Sequence, residues 1–208
     1  LVPEKTVNGN VTVDLKEVDI KEAINVLSMA YGFNFQKVSD NVYIVSRDAL
    51  KPPLKVEINN GKLNLSVEDG NLKKVLNKIS NEAGVEIEMK EKSNEHLSLE
   101  LKDISLVKGI KKVIEDYNYA MSKDNNYYRI VKTDQNIDIS IIEKRVDINV
   151  EQADISRVLK IISRLSNTNM ILFSDVRGTT NLNLHNYSIK ETIDSLLQGT
   201  RLTYKEDG

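Results

Sequence analysis

Asp175-Val176-Arg177-Gly178 stands between two stretches that read alike. Before it, Val146, Ile148 and Val150 alternate with polar neighbours, the pattern of a half-buried strand. Asp154-Ile155 then opens an apolar helix, and Met170-Ile171-Leu172-Phe173 reads as a second strand. After it, Leu182 and Leu184 alternate, Ser188-Ile189 opens a helix carrying Ile193, Leu196 and Leu197, and Leu202 and Tyr204 begin another strand. Gly178 allows a sharp turn between the two copies. This repeated strand-helix-strand unit decides the fold, because most of the chain resolves into further copies of it.

The copies align in columns. The caps, whose side-chain oxygens can accept from free helix N–H groups, are Asp19, Asn71, Ser105, Asp154 and Ser188. Four residues earlier stand Leu15, Val67, Leu101, Val150 and Leu184, the ends of the incoming strands. The helix stripe contains Ile24, Leu76, Ile110, Leu159 and Ile193. Gly32, Gly84, Asn118 and Asn167 follow at the distance of a left-handed helix stop, whereas Arg201 does not suit one, so the last helix is expected to end at Gly199. Leu15 to Leu101 is 86 residues and Leu101 to Leu184 is 83, so two units make one period.

One unit buries too little to stand alone. Each apolar helix side chain contributes roughly 1.5–3 kcal/mol, against about 1–2 kcal/mol per residue ordered. Two units sharing a core make a small α+β domain, with helices packed on short sheets. Pro52-Pro53 and the polar stretch 133–136 read as boundaries. The expected organisation is therefore 1–50 as the second half of a first domain, 54–132 as a complete domain, and 137–208 as a third lacking its last strand.

Composition narrows the function. The 208 residues carry 29 basic and 31 acidic side chains that alternate along the chain, with no basic block to grip phosphates, so nucleic acid is not an expected partner. No apolar run exceeds five residues, against about 20 for a helical membrane span, so no direct membrane insertion is expected. With no Cys, disulfides and thiolate metal sites are excluded. The chain opens on Leu1-Val2-Pro3 without an initiator Met and closes on the turn-like Lys205-Glu206-Asp207-Gly208, so it is expected to be a piece of something longer.

No constellation of residues calls for catalysis. His96 and His185 stand apart in different units, where a metal site needs three or four converging ligands and a triad needs an acid and a nucleophile. Glu115-Asp116 and the Asp147/Glu151 pair fall on polar faces, and the nine Gly are scattered at turns rather than gathered in a phosphate loop. Tyr127-Tyr128 could stack a base only if both faced solvent, and strand alternation sends one of them inward. The expectation is no catalytic, cofactor-binding or metal residues, and no cofactor. Sheet edges offer the physical route to function, since their unpaired N–H and C=O groups can accept another strand. Lys55, Glu57, Glu86, Glu88, Lys90, Glu100 and Lys102 are expected to guard such edges, and Lys73, Lys74, Arg157 and Lys160 to tune contacts at the rim.

The pair of units joined through Asp-Val-Arg-Gly resembles the secretin and TonB N-terminus short domain. The resemblance rests on Val146-Asp147-Ile148-Asn149-Val150, Asp154-Ile155, Asn169-Met170-Ile171, Asp175-Val176-Arg177-Gly178, Leu182-Asn183-Leu184 and Leu202-Thr203-Tyr204. It is looser over 54–132, where Lys92-Ser93-Asn94 replaces the turn, and only its second half is visible over 11–47. It implies a non-catalytic periplasmic module of the cell envelope. Tandem copies favour a secretin of a type IV pilus or type II secretion system. There such domains stack as homo-oligomeric rings below an outer-membrane channel, and dock inner-membrane or pilus-assembly proteins by sheet edges or helix faces. The alternatives it leaves are a signalling module of a TonB-dependent transducer and a ring-building scaffold of another envelope machine.

Overall fold

The structure is a computed structural model that describes residues 2–3, 12, 14–39, 42–46, 54–171 and 176–205. It is an α+β protein, and the chain divides into two compact units, Leu1–Pro52 and Pro53–Gly208.

In the first unit, β1 (Val2–Pro3) runs parallel to β3 (Val42–Ser46), and β2 (Asn34–Ser39) pairs antiparallel with β3 on its other side. Helix α1 (Ile20–Tyr31) begins where the sequence places it, with Asp19 Oδ1 accepting from the Glu22 N–H at 2.7 Å, and ends at Gly32 with φ 65°. The strand expected at Val11, Val13 and Leu15 is not seen at 12 or 14–16, while 11 and 13 lie outside the described residues.

The second unit holds two repeats. The first runs β4 (Lys55–Asn59), β5 (Lys62–Asn71), α2 (Leu72–Ala83), β6 (Glu86–Met89), β7 (His96–Ser105), α3 (Leu106–Ile114), a 3-10 turn (Glu115–Tyr117), β8 (Tyr119–Asp124) and β9 (Tyr127–Lys132). The second runs β10 (Ile137–Ile142), β11 (Arg145–Asp154), α4 (Ile155–Ser166), β12 (Thr179–Ser188) and α5 (Ile189–Leu197). Among the described residues β4-β5-β7 form one antiparallel sheet, and β12-β11-β10-β8-β9-β6 form a six-stranded one. The triplet β10-β11-β12 of the larger sheet repeats β4-β5-β7 strand for strand.

Two cores result: α2 and α3 pack on the small sheet and on β6 and β8, while α4 packs on β10 and β11 and on the β8–β9 hairpin. Leu63, Leu65, Leu72, Val75, Leu76, Ile79, Ile110 and Val113 fill the first, and Val146, Ile148, Ile155, Val158, Ile161, Ile162 and Leu196 the second. Gly70 and Gly109 mark close packing in the first, where a Cβ would stand 2.3 Å from Val67 Cγ2 and 2.5 Å from Leu63 Cδ2. The β8–β9 hairpin serves both: Tyr119, Met121, Tyr128 and Ile130 face the first core, Ala120 and Val131 the second. The polar stretch 133–136 therefore marks a change of core but not of sheet, since β8 before it pairs in parallel with β10 after it through Met121–Ser140, Ser122–Ile141 and Lys123–Ile142.

Two expected strands differ. Met170 and Ile171 carry no strand, with Leu172 and Phe173 outside the described residues, and Leu202–Tyr204 carry none either. A strand exists only where a neighbour completes its ladder. Their counterparts in the first repeat, β6 and β8, both pair with β9, and no counterpart of β9 is present among the described residues of the second repeat.

Candidate functional site

The repeat is exact in backbone detail. Two residues before each cap stand Glu17, Asp69, Asp103, Gln152 and Asn186, all with positive φ of 47–61°. The last four are each the kink of a bulge between incoming strand and helix, and side chains across the ladder brace them. The N–H of Asp103 donates to Asn64 Oδ1 at 2.9 Å and that of Asp69 to Ser98 Oγ at 2.9 Å. At the equivalent places Asn186 donates to Asp147 Oδ1 at 2.9 Å and Gln152 to Asn181 Oδ1 at 2.7 Å. At these four places the bulge re-aims the chain between strand and helix. This column was missed in the sequence; its signal is a polar residue two places ahead of every cap.

The groups considered as chemical sites are dispersed. His96 Nδ1 lies 3.0 Å from both the carbonyl and Oδ1 of Asp69, and His185 Nδ1 lies 3.6 Å from Asp147 Oδ1, in the other repeat. Among the described residues no three His, Cys, Asp or Glu side chains gather as metal ligands. Glu115 pairs with Lys112 at 2.7 Å, while Asp147 braces a bulge and Glu151 is exposed. Tyr128 is buried in the first core, as alternation requires, and Tyr127 turns to Glu88.

The expected guard residues separate into two kinds. On β4, Lys55 pairs with Glu57 at 2.9 Å, and on β7, Glu100 pairs with Lys102 at 2.8 Å, so both outer strands of the small sheet carry charge. Glu86, on the outer strand β6, is exposed. Glu88 is instead the centre of a network. Its Oε2 accepts from Tyr127 OH at 2.5 Å and Arg129 Nε at 2.7 Å, and Lys90 stands 3.3 Å from its other oxygen. The Tyr127 hydrogen bond first, then Arg129, holds this carboxyl at about 2, well below its ordinary 4.5.

Arg129 also joins the repeats. Its Nη1 donates to the carbonyl of Arg164 at 2.9 Å and to Asn167 Oδ1 at 3.3 Å, so a cation caps the C-terminal end of α4. Ser122 Oγ donates to the Leu165 carbonyl at 2.8 Å, Arg164 pairs with Glu91, and Lys123 pairs with Glu143. A cleft of about 310 Å³ lined by Glu88, Lys90, Arg129, Arg164 and Asn167 lies over this junction. A second, of about 660 Å³, lies beside Lys123, Asp124, Tyr127, Lys144 and Ile189.

Of the rim charges, Lys73 Nζ donates to the Met89 carbonyl at 3.3 Å, and Arg157 forks onto Asp134 at 3.0 and 3.3 Å. Lys74 and Lys160 are exposed. Within the first repeat, Lys132 Nζ meets Glu95 Oε1 at 2.7 Å and the Tyr117 carbonyl at 2.8 Å, and lies 4.2 Å from the Tyr119 ring centre. Lys132 first, then Ser93, holds the Glu95 carboxyl at about 2. No helix among the described residues is long and apolar enough to cross a membrane.

The arrangement is thus one of serial docking: one repeat offers the outer strand of a hairpin, and the next adds its sheet to it. No protein-family model matches the chain, and no curated protein or solved structure matches it either.

Proposed function

We propose that this chain is a non-catalytic interaction module of a secretin-type channel in the cell envelope, acting in type IV pilus biogenesis or type II secretion. In this reading its tandem repeats form stacked ring segments and dock partner proteins in the periplasm. The observation that carries it is the parallel joining of β8 to β10, by which one repeat extends the sheet of the last. A second support is chemical. The charged side chains over the junction are spent on each other and on helix carbonyls, as Glu88, Arg129, Arg164 and Lys123 show, and so hold repeats together. Strand addition of this kind supplies affinity through the main chain and leaves selectivity to side chains.

Cross-linking in intact cells tests it. An epitope-tagged chain carrying a photo-reactive residue at Glu100, on the outer strand β7, should be recovered from the envelope fraction in a ladder of adducts of its own mass. Recovery from the cytosol alone, or from the envelope without adducts of its own mass, rejects the reading.

A further inference from the structure

β7 and β12 are the third strands of their repeats, and each is the last strand of its sheet among the described residues. Their apolar residues match: Leu99 and Leu101 of β7 become Leu182 and Leu184 of β12, 83 residues on. Their charged residues do not. Glu100, Lys102 and Asp103 are replaced by Asn183, His185 and Asn186, and the ten residues of β12 contain no Asp, Glu, Lys or Arg. Charge on an outer strand keeps other strands from adding to it. One of two equivalent edges has therefore lost its guard.

The unguarded edge presents a defined row of main-chain groups. β10 and β11 are joined by a two-residue loop with positive φ at Glu143 and Lys144, so the flanking Ile142 and Arg145 exchange hydrogen bonds. Alternation along β11 then turns the N–H and C=O groups of Val146, Ile148 and Val150 towards β12, where they meet Tyr187, Leu184 and Leu182. Asn183, between the two leucines, aims its N–H and C=O away from the sheet, as do Asn181 and His185 beyond them. All three residues are exposed. Leu182–Leu184 pairs regularly with β11, and a bulge interrupts the ladder on either side. Asn183 is thus the centre of the regular part of the edge.

We propose that a second copy of this chain adds here, β12 against β12, antiparallel about a two-fold axis at Asn183. In that register Asn183 meets Asn183 of the copy, Asn181 meets its His185, and Leu182 meets its Leu184. Each asparagine amide carries both donors and an acceptor, so the central pair is self-complementary, as a two-fold contact requires. Leu182 and Leu184, both half-buried, continue the apolar face across the axis. The same pairing of β7 would set Glu100 against Glu100, a like-charge pair at the axis. The chain's own plan also points to an outside partner. Where it joins its two repeats it uses a first strand, β10, and leaves the third strand β7 at the end of its sheet. The inference goes beyond the interaction-module reading and does not rest on it, because a two-fold contact links chains in pairs whatever their other faces bind.

The test uses the whole 208-residue chain, which has no cysteine of its own. Sedimentation at rising concentration should show a monomer–dimer equilibrium, with the Asn183 amide gaining exchange protection as the dimer forms. Asn183→Glu and Asn183→Lys each put like charges at the axis and should each weaken the dimer about two- to fivefold. An equal mixture of the two should recover it through the mixed pair, which a misfolded variant could not do. Asn183→Cys should yield a covalent dimer under a mild oxidant, since directly opposed residues stand about 5.5 Å apart at Cα, within disulfide reach. Asn181→Cys and His185→Cys, each offset from its own copy, should not.

Absence of a dimer at every soluble concentration, no recovery in the mixture, or faster cross-linking at 181 or 185 than at 183 overturns the proposal. So does protection of the Asn183 amide at dilutions where the chain sediments as a monomer, because the chain itself then covers the edge. Each of these results leaves the interaction-module reading standing, and that reading falls only with the cross-linking in cells.

Discussion

The two repeats of the second unit share caps, bulges and braces, yet they close differently. In the first, β9 lies between β6 and β8 and completes a layer beneath the helices. In the second, Met170-Ile171 and Leu202–Tyr204 carry no strand, and Ile171 is 68% exposed. The second core is instead floored in part by its neighbour, since Ala120 and Val131 belong to it. Local geometry is thus copied from repeat to repeat, while core completion depends on what stands next in the chain.

Excision breaks this comparison most severely. Residues 54–132 carry every buried member of the first core except partial cover from Ile142, and should melt cooperatively alone. Residues 137–208 lose Ala120, Val131 and the pairing of β10, and should show no cooperative transition by circular dichroism. A cooperative melt of 137–208 would sink the dependence argued here.

Next in size is the junction. Arg129→Met keeps the bulk of the stem and removes the bonds to Glu88, the Arg164 carbonyl and Asn167, at about 1.5–3 kcal/mol in a denaturant titration. Acid should reach the same network. Glu88 and Glu95 sit at about 2 when folded and 4.5 ordinarily, so the unfolded chain takes up their protons first. Their stabilisation is complete above about pH 4.5 and is lost as pH falls towards 2. Glu88→Gln and Glu95→Gln should each flatten that slope by up to about one proton; unaltered slopes would show the carboxylates are not held down.

The smallest effect is the sharpest test of copying. Ser188 makes a full capping box with Glu191, whereas Ser105, in the same column, makes no side-chain cap bond. Ser188→Ala should cost about 1 kcal/mol and Ser105→Ala close to nothing. Equal losses would mean that the column has one energetic role despite its two geometries.

What was legible in the sequence is what local spacing controls. Asp19, Asn71, Asp154 and Ser188 cap helices as placed, because a cap and its acceptor lie three residues apart. The last helix stops short of Arg201 as expected, but at Leu197 with Gln198 in the capping place, so Gly199 at φ 77° lies just beyond its end. Alternation sent one of Tyr127 and Tyr128 inward for the same reason, and it is Tyr128 that is buried. Glu88 illustrates the limit: its neighbours along β6 mark it as an edge guard, but its partners Tyr127 and Arg129 come from a strand about 40 residues on. The β8–β10 pairing was equally hidden, since Tyr119-Ala120-Met121 shows no alternation when both faces of a hairpin are buried. Small Ala120 among larger neighbours is the one trace that a second layer leaves in the sequence.

The hairpin shared by two cores also sets an order in time. A ribosome releases 54–132 before the rest of the second core is made, and the first repeat can close at once around Tyr128 and Ile130. Ala120, Ser122 and Val131 then wait as a finished surface against which β10 and α4 assemble as they emerge. Each repeat is thus a template for its successor, and growth runs from the amino end to the carboxyl end. A chain circularly permuted to place 137–208 first would make most of its second core before the floor, and during translation that core should close only once 54–132 has followed.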